Sequence, residues 1–177
     1  YKRIGWNARA QEGAVDGWYQ TKFTLKEEPL VSILIPNKDH TDDLDVCLNS
    51  FFERADYQNY EFIIIENNSV LPETFAYYEK IEKEHDNVKV VYWEAGFNYS
   101  AINNFGFKFA KGDYIMLLNN DVELITPDIF QSMLGFCMRP EVGIVGAKLL
   151  YNDHTVQHAG VLVGAGGLAD HVFKGIH

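Results

Sequence analysis

Short apolar blocks alternate with polar, turn-forming segments once the chain passes residue 29. Leu30-Val31-Ser32-Ile33-Leu34-Ile35, halted by Pro36, reads as a buried strand. Asp42 to Phe52 places Leu44, Cys47, Leu48, Phe51 and Phe52 at helical spacing, with Thr41 or Asp42 as the N-cap. Tyr60 to Ile65 is a second buried strand, residues 72 to 85 a helix charged on one face, and Val88 to Tyr92 a third strand. Tyr99 to Ala110 is a helix ended by Gly112. Tyr114 to Leu118 is a fourth strand, and Pro127 to Met138 another helix. Val142 to Leu150 and Val161 to Val163 read as further strands. The β-α-β-α-β-α-β order predicts an α/β fold, a mostly parallel sheet with helices on both faces. Residues 1–28 read as a polar, irregular leader whose Trp6, Trp18 and Tyr19 pack on the domain, which runs from 29 to 177.

Length and composition narrow the function classes. At 177 residues and 47% apolar, the chain supports one packed domain. A net charge of −10 without a dominant basic patch excludes a general nucleic-acid binder. An anionic ligand such as a diphosphate then needs a cation between it and the protein. Cys47 and Cys137 lie outside any ligand-like spacing and read as reduced core thiols, which fits a cytoplasmic setting. No apolar run approaches the ~20 residues of a membrane span. The chain opens on Tyr1 and stops at His177 just after a glycine-rich stretch, so a piece of a longer protein is expected.

Ligands of open parallel sheets bind beyond the carboxyl ends of the strands. Three polar clusters stand there: Pro36-Asn37-Lys38-Asp39, Glu66-Asn67-Asn68-Ser69 and Asn119-Asn120-Asp121-Val122-Glu123. The last is the most telling, because a very apolar strand delivers two carboxylates to its exit. Hard divalent cations take oxygen ligands and bridge carboxylates to substrate phosphates. A capped turn would use the same residues.

The order of these segments resembles family 2 glycosyltransferases of the GT-A, nucleotide-diphospho-sugar transferase type. Phe97-Asn98-Tyr99-Ser100-Ala101-Ile102-Asn103-Asn104-Phe105-Gly106 resembles the family's helix before the metal strand. Val142 to Tyr151 and Gln157-His158-Ala159-Gly160 look like a bacterial subgroup that builds cell-envelope polysaccharides, including rhamnosyltransferases. The resemblance covers residues 29 to 175. It implies that Pro36 and Asp39 flank the nucleotide, that Glu66 meets its base with Asn67 beside it, and that Asn104 and Gly106 lie near the diphosphate edge. Asn119-Asn120-Asp121 corresponds to the Asp-x-Asp metal motif, with Asn119 replacing the first acid. Asp121, Asn119 and Glu123 would hold Mg²⁺ or Mn²⁺, with Asn120 on the nucleotide. A UDP- or dTDP-linked donor, a glycan or lipid-linked acceptor and inverting hexosyl or rhamnosyl transfer are implied. So is work at the inner face of the cell membrane, with peripheral association through the full-length protein.

The chain also departs from that family. No carboxylate after Asp121 sits where inverting members keep their base, so the base is expected beyond His177. The domain would then be cut before its acceptor half, this chain alone would transfer sugar weakly or not at all, and the tail from Gly164 to His177 would be mobile. A non-catalytic nucleotide-binding or regulatory module of the same fold is the alternative. A dinucleotide oxidoreductase needs a glycine fingerprint after the first strand, and residues 36 to 41 contain no glycine. A nucleotidyltransferase would carry a glycine-rich basic loop there. His154 and His158 lack the zincin glutamate, Gly164 to Gly167 lacks the P-loop lysine, and His158 or His171 near the sugar is a lesser expectation.

Overall fold

The computed structural model describes residues 1–13, 16–164 and 167–176. Its strands are β1 (Ala8–Glu12), β2 (Tyr19–Phe23), β3 (Val31–Asn37), β4 (Tyr60–Glu66), β5 (Val88–Tyr92), β6 (Tyr114–Leu117), β7 (Leu149–Leu150), β8 (Val156–His158), β9 (Val161–Val163) and β10 (Ala169–His171). Its α-helices are α1 (Thr41–Arg54), α2 (Pro72–Glu84), α3 (Tyr99–Phe107) and α4 (Ile129–Cys137). The chain divides into two compact units. One is Leu25–Phe130; the other combines Tyr1–Thr24 with Gln131–His177. The sheet unit starts at Leu25 and closes at Phe130, within α4.

The first unit is built on a four-stranded parallel sheet of order β5-β4-β3-β6. Alternation along β3 and β4 assigns the two faces. Ile33, Ile35 and Asn37 share a face with Phe62, Ile64 and Glu66, as their register shows. There α1 packs Phe51 and Phe52 edge-on against Phe62. The opposite row, Leu34, Ile63, Ile65 and Val91, forms the buried cluster with Ile102 of α3, flanked by Trp93, Phe105 and Phe109. The middle of β3, residues 33–36, and of β4, residues 62–65, is apolar on both faces, and at the carboxyl ends Asn37 and Glu66 break the row while remaining buried.

Several local expectations are corrected. The N-cap of α1 is His40, without a side-chain cap, rather than Thr41 or Asp42. Gly112 does not end α3, which stops at Phe107. It is small because a Cβ there would stand 2.5 Å from the Leu30 carbonyl oxygen and 2.8 Å from the Ser32 nitrogen. Gly112 N–H instead donates to the buried Ser32 hydroxyl at 2.8 Å, which donates to Glu61 at 2.7 Å.

The second unit corrects more. Residues 1–28 are not irregular: β1 and β2 form an antiparallel hairpin from Ala8↔Phe23 to Glu12↔Tyr19. Its polar, exposed strands hide the usual alternation. Trp6 stacks on Tyr1 and lies under the Arg139 guanidinium, 4.1 Å from its ring centre, whereas Trp18 and Tyr19 are exposed. Of the strand expected over 142–150 only Leu149–Leu150 forms, paired with β8. Gly143 and Gly146 interrupt the rest, and Ile144 is exposed. Ala165, Gly166 and His177 lie outside the described residues, so the glycine run and the end of the expected mobile tail are described only in part. The described tail is tied back: β10 pairs with β9, and Val156 exchanges backbone bonds with Ile176 and Gly175. Among the described residues no helix is long and apolar enough to cross a membrane.

Candidate functional site

The chain runs outward from β3 to β4 to β5, then returns to place β6 on the other side of β3. The strand order therefore reverses between β3 and β6, and in open α/β sheets the crevice at the carboxyl ends of such a pair is where ligands bind. Asn37-Lys38-Asp39 leaves one side of it and Leu118 to Asp121 the other. The backbone bond from Leu118 N–H to Leu34 O, 3.0 Å, carries the β3–β6 ladder one residue past β6.

A line of side-chain hydrogen bonds crosses this edge. Asn120 Nδ2 donates to Asn37 Oδ1 at 2.7 Å, and Asn37 Nδ2 donates to the Tyr78 hydroxyl at 2.8 Å. Tyr78 donates to Glu66 Oε2 at 2.8 Å, and the Ser69 hydroxyl donates to the same oxygen at 2.6 Å. The Ser69 backbone N–H takes Oε1. Burial is the main cause that pushes the Tyr78 hydroxyl far above its ordinary range, so it remains a proton donor.

Glu66 is 3% exposed and both its oxygens are used inside the protein. Glu66, expected to meet a nucleotide base, is held by these bonds as an anchor of the frame. Asn67 is buried and donates to the Ala95 carbonyl at 3.2 Å, as Asn68 does at 2.9 Å, so the pair pins the loop between β5 and α3.

Asp39 sits in the left-handed region, φ 59°, which a short polar side chain tolerates better than most. Its carboxylate accepts from the backbone N–H groups of Leu71 and Val70 and from the Thr74 hydroxyl, holding the start of α2. The Leu71 N–H first, then Val70, Thr74 and Ser69, hold its carboxyl below its ordinary value near 3.8, against the opposing effect of desolvation. A depressed acid contributes stability that is present above its ordinary value and is lost as pH falls through the folded one. Urea midpoints measured at pH 5 and pH 3 should therefore fall less for Asp39→Asn than for the unmodified chain. Equal losses would show that Asp39 does not anchor α2.

The remaining expected residues separate into two groups. Gly106, expected near the diphosphate edge, is buried in α3, where a Cβ would collide with Ile65 beneath it. Asn104 is exposed on the same helix, and Pro36 and Asn120 are half-buried. Glu123, expected as a metal ligand, pairs with Arg54, 2.7 Å away. Asn119 and Asp121 are exposed, and Asp121 makes no hydrogen bond or ion pair among the described residues. No three His, Cys, Asp or Glu side chains gather as a metal cluster among those residues. One open carboxylate and the Asn119 amide oxygen still fit a hard cation whose other ligands are waters and substrate phosphates. Cys47 lies behind this turn, with its thiol pushed up to about 12 by burial; Cys137 is half-buried and free. In the other unit the His158 and His171 Nδ1 atoms stand 2.8 Å apart, a ring-to-ring hydrogen bond, and His154 joins no metal cluster.

Residues 32–161 match the model of Glycosyl transferase family 2. The chain belongs to this family. It is 41% identical over 155 residues to the O-antigen biosynthesis protein RfbC of Myxococcus xanthus, a match covering 88% of this chain and 12% of that protein. It is 40% identical over 159 residues to the uncharacterized protein y4gI of Sinorhizobium fredii, covering 90% and 18%. The chain thus spans less than a fifth of the length of these relatives. Its fold is similar to the mannosyltransferase PcManGT of Pyrobaculum calidifontis in complex with GDP-Man and Mn²⁺, with TM-score 0.60, 16% identity and coverage of 67% and 35%. It is also similar to S. aureus TarS in complex with UDP-GlcNAc, with TM-score 0.50, 20% identity and coverage of 61% and 31%. The fold is the GT-A type.

Sequence reading missed Tyr78, Asn37 and Ser69 as members of the line. A signal existed for Tyr78: Thr74, Tyr78 and Ile81 form the buried stripe of α2, and a buried tyrosine hydroxyl needs a partner.

Proposed function

We propose that this chain binds the nucleotide diphosphate of a sugar donor in the β3–β6 crevice and serves transfer of that sugar to a glycan or lipid-linked acceptor. The observation that carries this reading is Asp121: an exposed, unpartnered carboxylate at the topological switch point, on a turn that Asn120 fastens to β3. The acids around it are spent elsewhere, Asp39 on α2, Glu66 on the frame and Glu123 on Arg54. Asp121 is left to meet a cation. Asp121 and the Asn119 side-chain oxygen would hold Mg²⁺ or Mn²⁺, which supplies positive charge against the diphosphate that leaves. The Mn²⁺ and the nucleotide sugars in the structural neighbours support this assignment.

The relation to an O-antigen biosynthesis protein supports envelope polysaccharide as the product class, assembled at the inner face of the cell membrane. A UDP- or dTDP-linked hexose or rhamnose is the proposed donor, and inversion the proposed outcome. One observation favours a second reading, a nucleotide-binding module without chemistry. Four later carboxylates are tied to local partners: Glu123 to Arg54, Glu141 to Arg139, Asp153 to Thr155 and Asp170 to the His171 N–H. Calorimetric titration of the chain with UDP, dTDP and GDP, each with and without Mn²⁺, tests the site. Binding of at least one that strengthens with Mn²⁺ is expected, and metal-independent or absent binding overturns the reading. Donor hydrolysis or transfer in the same samples separates enzyme from module.

A further inference from the structure

The hydrogen bonds that reach Asn120 have a fixed direction, and that direction is set far from the crevice. A carboxylate only accepts, so the Tyr78 hydroxyl must give its single proton to Glu66. Tyr78 can then only accept from Asn37, which fixes the Asn37 amide with Nδ2 toward Tyr78 and Oδ1 toward Asn120. Asn120 must answer with Nδ2, leaving its own Oδ1 on the other side of the amide and without a partner among the described residues. An asparagine amide otherwise turns over at little cost, and only its neighbours decide its orientation. Here the decision passes through two buried side chains, Asn37 at 3% and Tyr78 at 1% exposure, where an unmatched pair is costly.

We infer that Tyr78 is a positioning residue: through Asn37 it sets which way the Asn120 amide faces, and so presents an acceptor oxygen beside Asp121. Its value for donor binding rests on the proposed reading of the crevice. An acceptor next to Asp121 suits a ribose hydroxyl or a metal-bound water, both of which donate. The opposite orientation would present an NH₂ group, which repels such donors.

A double-mutant cycle on the ligand-free chain tests the relay itself. Asn120→Asp puts an oxygen against Asn37 Oδ1. Asn37 then has to turn over, and its oxygen would face a Tyr78 hydroxyl whose proton is already given to Glu66. Asn120→Asp should therefore lower the urea midpoint clearly in the unmodified chain and far less in the Tyr78→Phe background. Strictly additive losses overturn the relay. Should Tyr78→Phe prove too unstable to measure, Asn37→Ser interrupts the same line one link nearer Asn120 and serves in its place.

A second arm reads function. With Mn²⁺ present, Tyr78→Phe should weaken UDP or dTDP binding by about tenfold, as expected for loss of one oriented polar contact, with the metal requirement retained. Unchanged affinity in a folded variant overturns the positioning role even where the cycle shows coupling. If the unmodified chain binds no nucleotide diphosphate at all, the donor-site reading fails, while the cycle still decides the relay.

Discussion

Asp121→Ala is expected to abolish Mn²⁺-dependent nucleotide diphosphate binding, weakening it by more than about a hundredfold, while the fold stays intact. Two features of Asp121 lead to both halves of this expectation. The side chain is exposed and makes no hydrogen bond or ion pair among the described residues, so its loss should change stability by no more than roughly 0.5 kcal/mol. It is also the carboxylate in the crevice that no basic side chain or backbone donor already uses. In a chain of net charge −10 a bridging cation favours an anionic donor, and Asp121 is the residue proposed to hold it. Asp121→Asn should retain a fraction of the binding, because an amide oxygen still ligates but brings no charge. Calorimetry at several Mn²⁺ concentrations, beside thermal melts, checks this. A variant that binds with unchanged manganese dependence would remove Asp121 from the site.

Glu66→Ala is expected to destabilise the protein by on the order of 3 kcal/mol without any ligand present. The change leaves the Ser69 N–H, the Ser69 hydroxyl and the Tyr78 hydroxyl without the acceptor they share, all next to a residue 3% exposed. It also frees Tyr78 to donate to Asn37 instead, so nucleotide binding should weaken as well. Glu66→Gln keeps one acceptor oxygen and should recover more than half of the lost stability. Chemical denaturation of both variants decides between an anchoring residue and one that touches a base. A direct contact would give the reverse pattern, with normal stability and a loss of affinity specific to uracil or thymine.

Much of this protein was decided by the sequence. The apolar runs of β3 and β4 are too short for core helices and too continuous for half-exposed strands. Their buried parallel pairing follows from that pattern and from the helices between them. With the strand and helix order came the carboxyl edge of the sheet, and Asp121 on it, because a polar cluster after a buried strand can only lie at its exit. The family resemblance rested on the same segments, and residues 32–161 match that family.

Other features needed the tertiary structure, because they depend on which side chains meet across long separations. Glu66 and Asp121 are both acids at strand exits, and nothing local distinguishes them. Tyr78, twelve residues along the chain, folds over one and leaves the other open. Gly106 reads as a diphosphate-edge residue and Gly112 as a helix stop in sequence, yet each is small because Ile65 or the Leu30 carbonyl lies against it. Glu123 reads as a second ligand until Arg54, 69 positions earlier, takes it. The β1–β2 hairpin is hidden for a different reason. Its strands are polar and, apart from the half-buried ends at Ala8 and residues 21–23, exposed, so they carry no hydrophobic alternation, and only backbone pairing reveals them.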